Sequence, residues 1–262
     1  MTRLPSLFVS HGAPTYAIEP GEAGRQLARL GQSIARPRAV LVMSPHWITR
    51  SLALTGAATP KTIHDFGGFP DELYRLQYPA PGHPQLARAA GQLLEAAGHR
   101  VALDDQRGLD HGAWVPLMHL FPKADVPVFQ LSMPVGLDAP SAWQLGEALA
   151  PLAGDGVLIV GSGSLTHNLA EFRGHHGADE AYAAEFAAWV REAVSTGDGA
   201  RLRRTLAEAP HAARAHPTTE HFWPLLVAAG AGPAQSGAKV LDGGIAHGVL
   251  SMDSFVFGAA AA

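Results

Sequence analysis

Four short runs of consecutive apolar residues constrain this chain most: Leu4–Val9 (LPSLFV), Ala39–Met43 (AVLVM), Val126–Leu131 (VPVFQL) and Val157–Val160 (VLIV). A strand with one wet face alternates apolar and polar residues. A run without alternation is apolar on both faces, which predicts strands covered by helices above and below. Weaker strand signals follow at Ser51–Thr55, Lys239–Asp242 and Ser254–Phe257. Between them lie Ala-, Leu-, Glu- and Arg-rich segments with helical character: Gly21–Ala35, Pro84–Ala97, Ala139–Leu152, Asp179–Ser195 and Ala200–Ala207. A further helix is expected to open at Pro217 and run through His221 towards Gly230, strained by Pro224 inside it. Strands alternating with helices predict an α/β fold with a mainly parallel central sheet flanked by helices. With no linker, repeat or shift in composition, residues 1–262 are read as a single domain.

Composition removes several chemistries. Cysteine is absent, which excludes disulfides, iron–sulfur clusters, thiolate zinc sites and a cysteine nucleophile. The formal net charge is −4 and basic residues do not cluster, so nucleic acid is not an expected partner. No apolar stretch approaches the roughly 18 residues of a spanning helix, so no membrane partner is expected either. His11 and Pro14 interrupt the N-terminal apolar run too early for a signal peptide, and a cytoplasmic location is expected.

The chain carries 14 histidines, and their positions matter more than their number. His11 follows the first strand in VSHGAP, His46 the second in MSPHW, and His167 the VLIV strand in GSGSLTHN. Ligands of open α/β sheets bind beyond the carboxyl ends of the strands, so these three imidazoles can converge there. His221, in HPTTEHFWP, is the fourth candidate. Neighbouring Gly and Pro residues make sharp turns that aim a side chain rigidly. Neutral imidazole binds zinc and iron well, and without thiolates a histidine-dominated metal site is the natural alternative. For His83, His99, His119, His175, His176, His211 and His247 an ordinary loop or helix-end position is the better reading.

Other motifs are weaker. VLIVGSG begins like a dinucleotide fingerprint but lacks the glycine that should follow at the helix start, and Ser162 does not complete G-x-S-x-G. No H-E-x-x-H is present. Glu220 beside His221 reads as a helix-capping acid.

Seven segments in order resemble the class III extradiol ring-cleavage dioxygenases, in the 4,5-DOPA extradiol dioxygenase-like branch: FVSHGAP (8–14), MSPHW (43–47), IHDFGGFP (63–70), LDHGAWVPL (109–117), GSGSLTHNL (161–169), HPTTEHFWPLLVAAGA (216–231) and LSMDSFVF (250–257). The resemblance implies one divalent metal ion, iron(II) for activity or zinc(II) as bound, held by His11, His46 and His221 at the carboxyl ends of the strands. It implies His167 as the acid/base, close enough to serve as a fourth ligand, with His111 near the substrate. His216 would contact substrate or support the site, and His64 and Asp65 would line the cavity mouth. Trp47, Trp114, Phe66, Phe69 and Phe222 are expected as apolar walls or core. The implied substrates are a small aromatic diol and O2, and the expected state is a monomer or small homo-oligomer. The alternative is a zinc-binding protein of the same fold with hydrolytic or no redox activity, because zinc has no redox chemistry.

Overall fold

The computed structural model describes residues 3–174, 177–233 and 237–258, so His175 and His176 lie outside the described residues. The strands are β1 (Ser6–Ser10), β2 (Ala39–Thr49), β3 (Leu52–Thr55), β4 (Val101–Asp104), β5 (Val128–Pro134), β6 (Val157–Gly163), β7 (Ala238–Leu241), β8 (Ile245–Ala246), β9 (Leu250–Ser251) and β10 (Ser254–Phe257). Eight of them form one sheet in the order β4-β3-β5-β2-β6-β1-β10-β7, while β8 and β9 form a separate ribbon. The centre, β5-β2-β6-β1, is parallel throughout. Antiparallel pairing appears only towards the edges, where β3 meets β5 and β10 lies between β1 and β7. This is the α/β architecture expected from the unalternated apolar runs.

The same runs explain the layering. Successive side chains of a strand point to opposite faces. Leu41 and Met43 of β2 therefore enter one core with Phe8, Phe129 and Ile159. Val40 and Val42 enter the other with Leu7, Val9, Val128, Leu158 and Val160. Helices α1 (Gly21–Ser33) and α3 (His111–Leu120) cover this second face. Helices α2 (Pro84–Ala96), α4 (Ala139–Leu149), α6 (Ala181–Ser195) and α10 (Trp223–Ala231) cover the first. Short helices α5 (Leu169–Gly174), α7 (Gly199–Arg203), α8 (Thr205–Glu208) and α9 (Ala212–Ala215) fill the connections. No helix among the described residues is long and apolar enough to cross a membrane.

Three of the expected elements take a different form. The Ala200–Ala207 helix is broken into α7 and α8. No helix opens at Pro217: residues 217–222 form turns, and α10 begins at Trp223 with Pro224 in its first turn, where a missing N–H costs nothing. Strand β2 runs on through Thr49, with its pairing to β5 shifted between Met43 and Ile48, so His46 sits in an irregular stretch of the strand rather than beyond it. Such bulges re-aim side chains.

Candidate metal centre

His11, His46 and His221 come together. One ligand nitrogen from each lies within 4.8 Å of the others. His11 follows β1 directly, and its backbone N–H donates to the Gly163 carbonyl at 2.9 Å. His46 is aimed by the β2 irregularity and tied down where the Arg107 guanidinium donates to its carbonyl at 3.1 Å. His221 lies in the turn before α10 and is pressed onto β6. Its carbonyl accepts from the Ser164 N–H at 3.1 Å.

The GSG of β6 makes this assembly possible. A Cβ on Gly161 would collide with the Pro224 carbonyl, and one on Gly163 with the His221 carbonyl. The two glycines therefore let the α10 segment lie against the strand. Ser162, between them, points to the opposite face. Its hydroxyl donates to the Gly112 carbonyl and accepts from His11 Nδ1 at 2.9 Å. The motif serves neither a dinucleotide nor a nucleophile elbow; it seats two of the three histidines.

The donor set fits a divalent cation. With its one hydrogen given to Gly112, Ser162 Oγ can only accept from His11, so His11 carries hydrogen on Nδ1 and a bare lone pair on Nε2. His221 Nδ1 donates to Glu220 Oε1 at 3.1 Å, which frees its other nitrogen. His46 Nδ1 faces Asp65 Oδ2 at 3.5 Å, which favours hydrogen on that nitrogen too. The Nε2 atoms of His11 and His46 are 3.2 Å apart. Two nitrogens bound to a tetrahedral ion at about 2.0–2.1 Å are separated by about 3.3 Å. With hydrogen on both Nδ1 atoms, the two lone pairs facing each other at this spacing suit a cation between them.

Electrostatics keeps these imidazoles neutral. Burial, reinforced by the neighbouring histidines, holds His11 and His221 well below the usual imidazole range. Burial and His111 bring His46 down to about 3, against a partial counter-effect of Asp65. Asp65 is itself held down to about 2, where hydrogen bonding and attraction from His111 outweigh its burial. Neutral imidazole is the form that ligates.

The remaining expected residues divide. The ring of His167 stacks on that of His221, centroids 3.4 Å apart and planes 12° apart. It groups with Glu220 and His221 rather than with His11 and His46. Burial lowers its pKa to about 4, partly offset by Glu220. His111 opens α3, with its ring centroid 3.9 Å from that of His46 and Nδ1 3.1 Å from Asp65 Oδ2. Asp65 also accepts from the His111 backbone N–H at 2.8 Å, so one carboxylate holds both histidines. A cleft of about 800 Å³ opens over this group, with Asp65 and the loop 66–69 on its wall.

His64 and His216 are not among the residues lining that cleft. His64 donates from Nε2 to the Leu76 carbonyl at 2.9 Å, its ring among Phe66, Tyr74 and Trp114. His216 is buried, donates to the Leu165 carbonyl at 2.8 Å, and packs against Phe186 and Phe222. Phe66 and Phe69 line the cleft, whereas Trp47, Trp114 and Phe222 are buried and do not. Sequence reasoning missed the parts played by Glu220, Ser162 and Gly112. Glu220 caps no helix; it accepts from His221 and from Thr218 Oγ1 at 2.9 Å. Adjacency to His221 was its only signal.

Two expected results arise here. Ser162→Ala removes the acceptor for His11 Nδ1, and zinc affinity measured by chelator competition should fall about 10- to 100-fold. An unchanged affinity would mean that packing alone orients the ring. Burial of His216 lowers its pKa to about 4. Below about pH 6.5 the unfolded chain takes up this proton first, so stability is complete above 6.5, is lost as pH falls towards 4, and levels off below. The loss from this residue is about 3 kcal/mol. Urea denaturation of metal-free protein at pH 7 and pH 4.5 should show it, with a smaller difference in His216→Gln.

Comparison with known proteins agrees with this picture. Residues 5–257 match the family described as the catalytic LigB subunit of aromatic ring-opening dioxygenase. A protein of Beta vulgaris named 4,5-DOPA dioxygenase extradiol is 40% identical over 256 residues, covering 96% of each chain. One of the same name from Escherichia coli K12 is 38% identical over 264 residues, covering 98% of this chain and 96% of that one. The crystal structure of an uncharacterised protein from Escherichia coli K12 superposes with a TM-score of 0.80 at 32% identity, covering 98% of this chain and 100% of the other.

Proposed function

The chain belongs to the family of the catalytic LigB subunit of aromatic ring-opening dioxygenase, and from that premise we propose that residues 1–262 form one catalytic domain that opens the ring of a catechol with O2 in the cytoplasm. The observation that carries the reading is the convergence of His11, His46 and His221, each with its Nδ1 side occupied by a polar partner and its other nitrogen free. A divalent ion held there, iron(II) in the active form, supplies acidification of the diol and a common meeting point for diol and oxygen.

The chain's own residues handle protons and position. His167, neutral near pH 7, accepts a catechol proton and later returns it as the carbon–carbon bond beside the diol breaks. Its nitrogens group with Glu220 and His221 and not with His11 and His46, so proton transfer rather than ligation is the role given to it. Glu220 has an oxygen within 4.8 Å of a His167 nitrogen and steadies the imidazolium that forms. Asp65 holds His111 over the same space, where it can donate to an oxygen of the reacting group. His64 and His216 support the cavity from behind rather than touching substrate. Both atoms of O2 enter the product, catechol plus O2 giving a hydroxymuconic semialdehyde, so no further reductant is needed.

The test is anaerobic loading with iron(II), then oxygen uptake with a panel of catechols. A yellow semialdehyde with one O2 consumed per ring is the expected outcome. No uptake with any catechol would favour the zinc protein without redox activity.

A further inference from the structure

We propose that the preferred substrate is a catechol carrying a bulky, uncharged ring substituent, rather than catechol itself or a small polar derivative. This rests on the ring-opening reading above and extends it to the choice of substrate. The cleft over the histidines measures about 800 Å³. At liquid water's share of about 30 Å³ per non-hydrogen atom, a catechol nucleus of eight such atoms fills about 240 Å³. Well over half of the space remains once the diol sits at the histidine end. Clefts of this size hold ligands several times larger than catechol.

The walls say what the extra volume suits. Besides the histidines the cleft is lined by Phe66, which packs edge-on against His111, by Phe69, by Leu169 and Phe172 of α5, and by Leu250 of β9. Leu169, one of these lining residues, is 44% exposed, an apolar area that gains by being covered. The two carboxylates of the lining, Asp65 and Glu220, are turned onto histidines. Gly67 lies on the same wall, and a Cβ built there meets nothing within 4 Å. The space beside Phe66 is thus left open by the absence of a side chain, and a larger residue can be put there to fill it.

The experiment titrates zinc-loaded protein, which binds but does not turn over, with catechol and with 4-phenylcatechol. The phenyl compound should bind at least tenfold more tightly. Gly67→Phe, which fills the space, and Leu169→Asn, which makes the rim polar, should each lower the ratio of the two affinities at least fivefold. The kcat/KM ratios of the iron(II) enzyme should move the same way. Equal affinities, or variants that weaken both ligands in proportion, would overturn the inference. Oxygen uptake with both catechols but no preference overturns this inference alone. No uptake with any catechol overturns the ring-opening reading beneath it.

Discussion

Replacing His221 with alanine should yield a folded protein that binds no stoichiometric zinc or iron and turns over no catechol. The backbone that seats this residue is fixed without its side chain: Ser164 N–H holds the 221 carbonyl, and α10 lies along β6. Loss of the imidazole removes one of the three proposed ligands and leaves the Glu220 carboxylate without the ring Nδ1, its bond from Thr218 Oγ1 remaining. Metal content by elemental analysis and stability by denaturation separate the two effects. A variant that retains one metal per chain would assign the third ligand elsewhere, with His167 and Glu220 the nearest alternatives.

His167→Ala should behave in the opposite way. Metal content should stay near one per chain, because His11, His46 and His221 do not require it. Turnover should fall about 10²- to 10⁴-fold, the range for loss of a positioned acid/base. The contrast between the two variants is the informative result, since both remove an imidazole and the two rings lie stacked. Normal turnover by His167→Ala would remove this residue from proton transfer.

Much of this was legible in the sequence because the signals were local. The apolar runs announced strands buried on both faces, and β1, β2 and β6 each lie where such a run stands. The strand-end histidines could be picked out because parallel strands deliver their carboxyl ends to one side. What was illegible depended on partners distant in sequence. Strand β4 is a half-exposed edge strand whose composition does not mark it. Helix α3 carries Gly112 and an interior Pro116, which hide its periodicity. The aim of His46 comes from a pairing shift against β5, which Pro45 in MSPHW signals only as an interruption and not as a direction. The GSG of β6 looked like a ligand-binding turn because glycines that admit a neighbouring backbone cannot be told apart, in sequence, from glycines that admit a phosphate. His216 sits in a motif-rich segment, and only the fold shows that it faces Phe186 and Phe222 rather than the cleft.

The place of β1 has a consequence for the order of assembly. This strand pairs with β6 on one side and β10 on the other, Phe8 lying opposite Phe255. β1 therefore cannot gain its second neighbour until β10, more than two hundred residues further along the chain, is in place. His11 stands at the end of that strand, and His221 arrives almost as late. The three histidines therefore gather only once β1, β2 and the turn before α10 have come together, and a folding intermediate that has not laid that turn against β6 lacks the third of them.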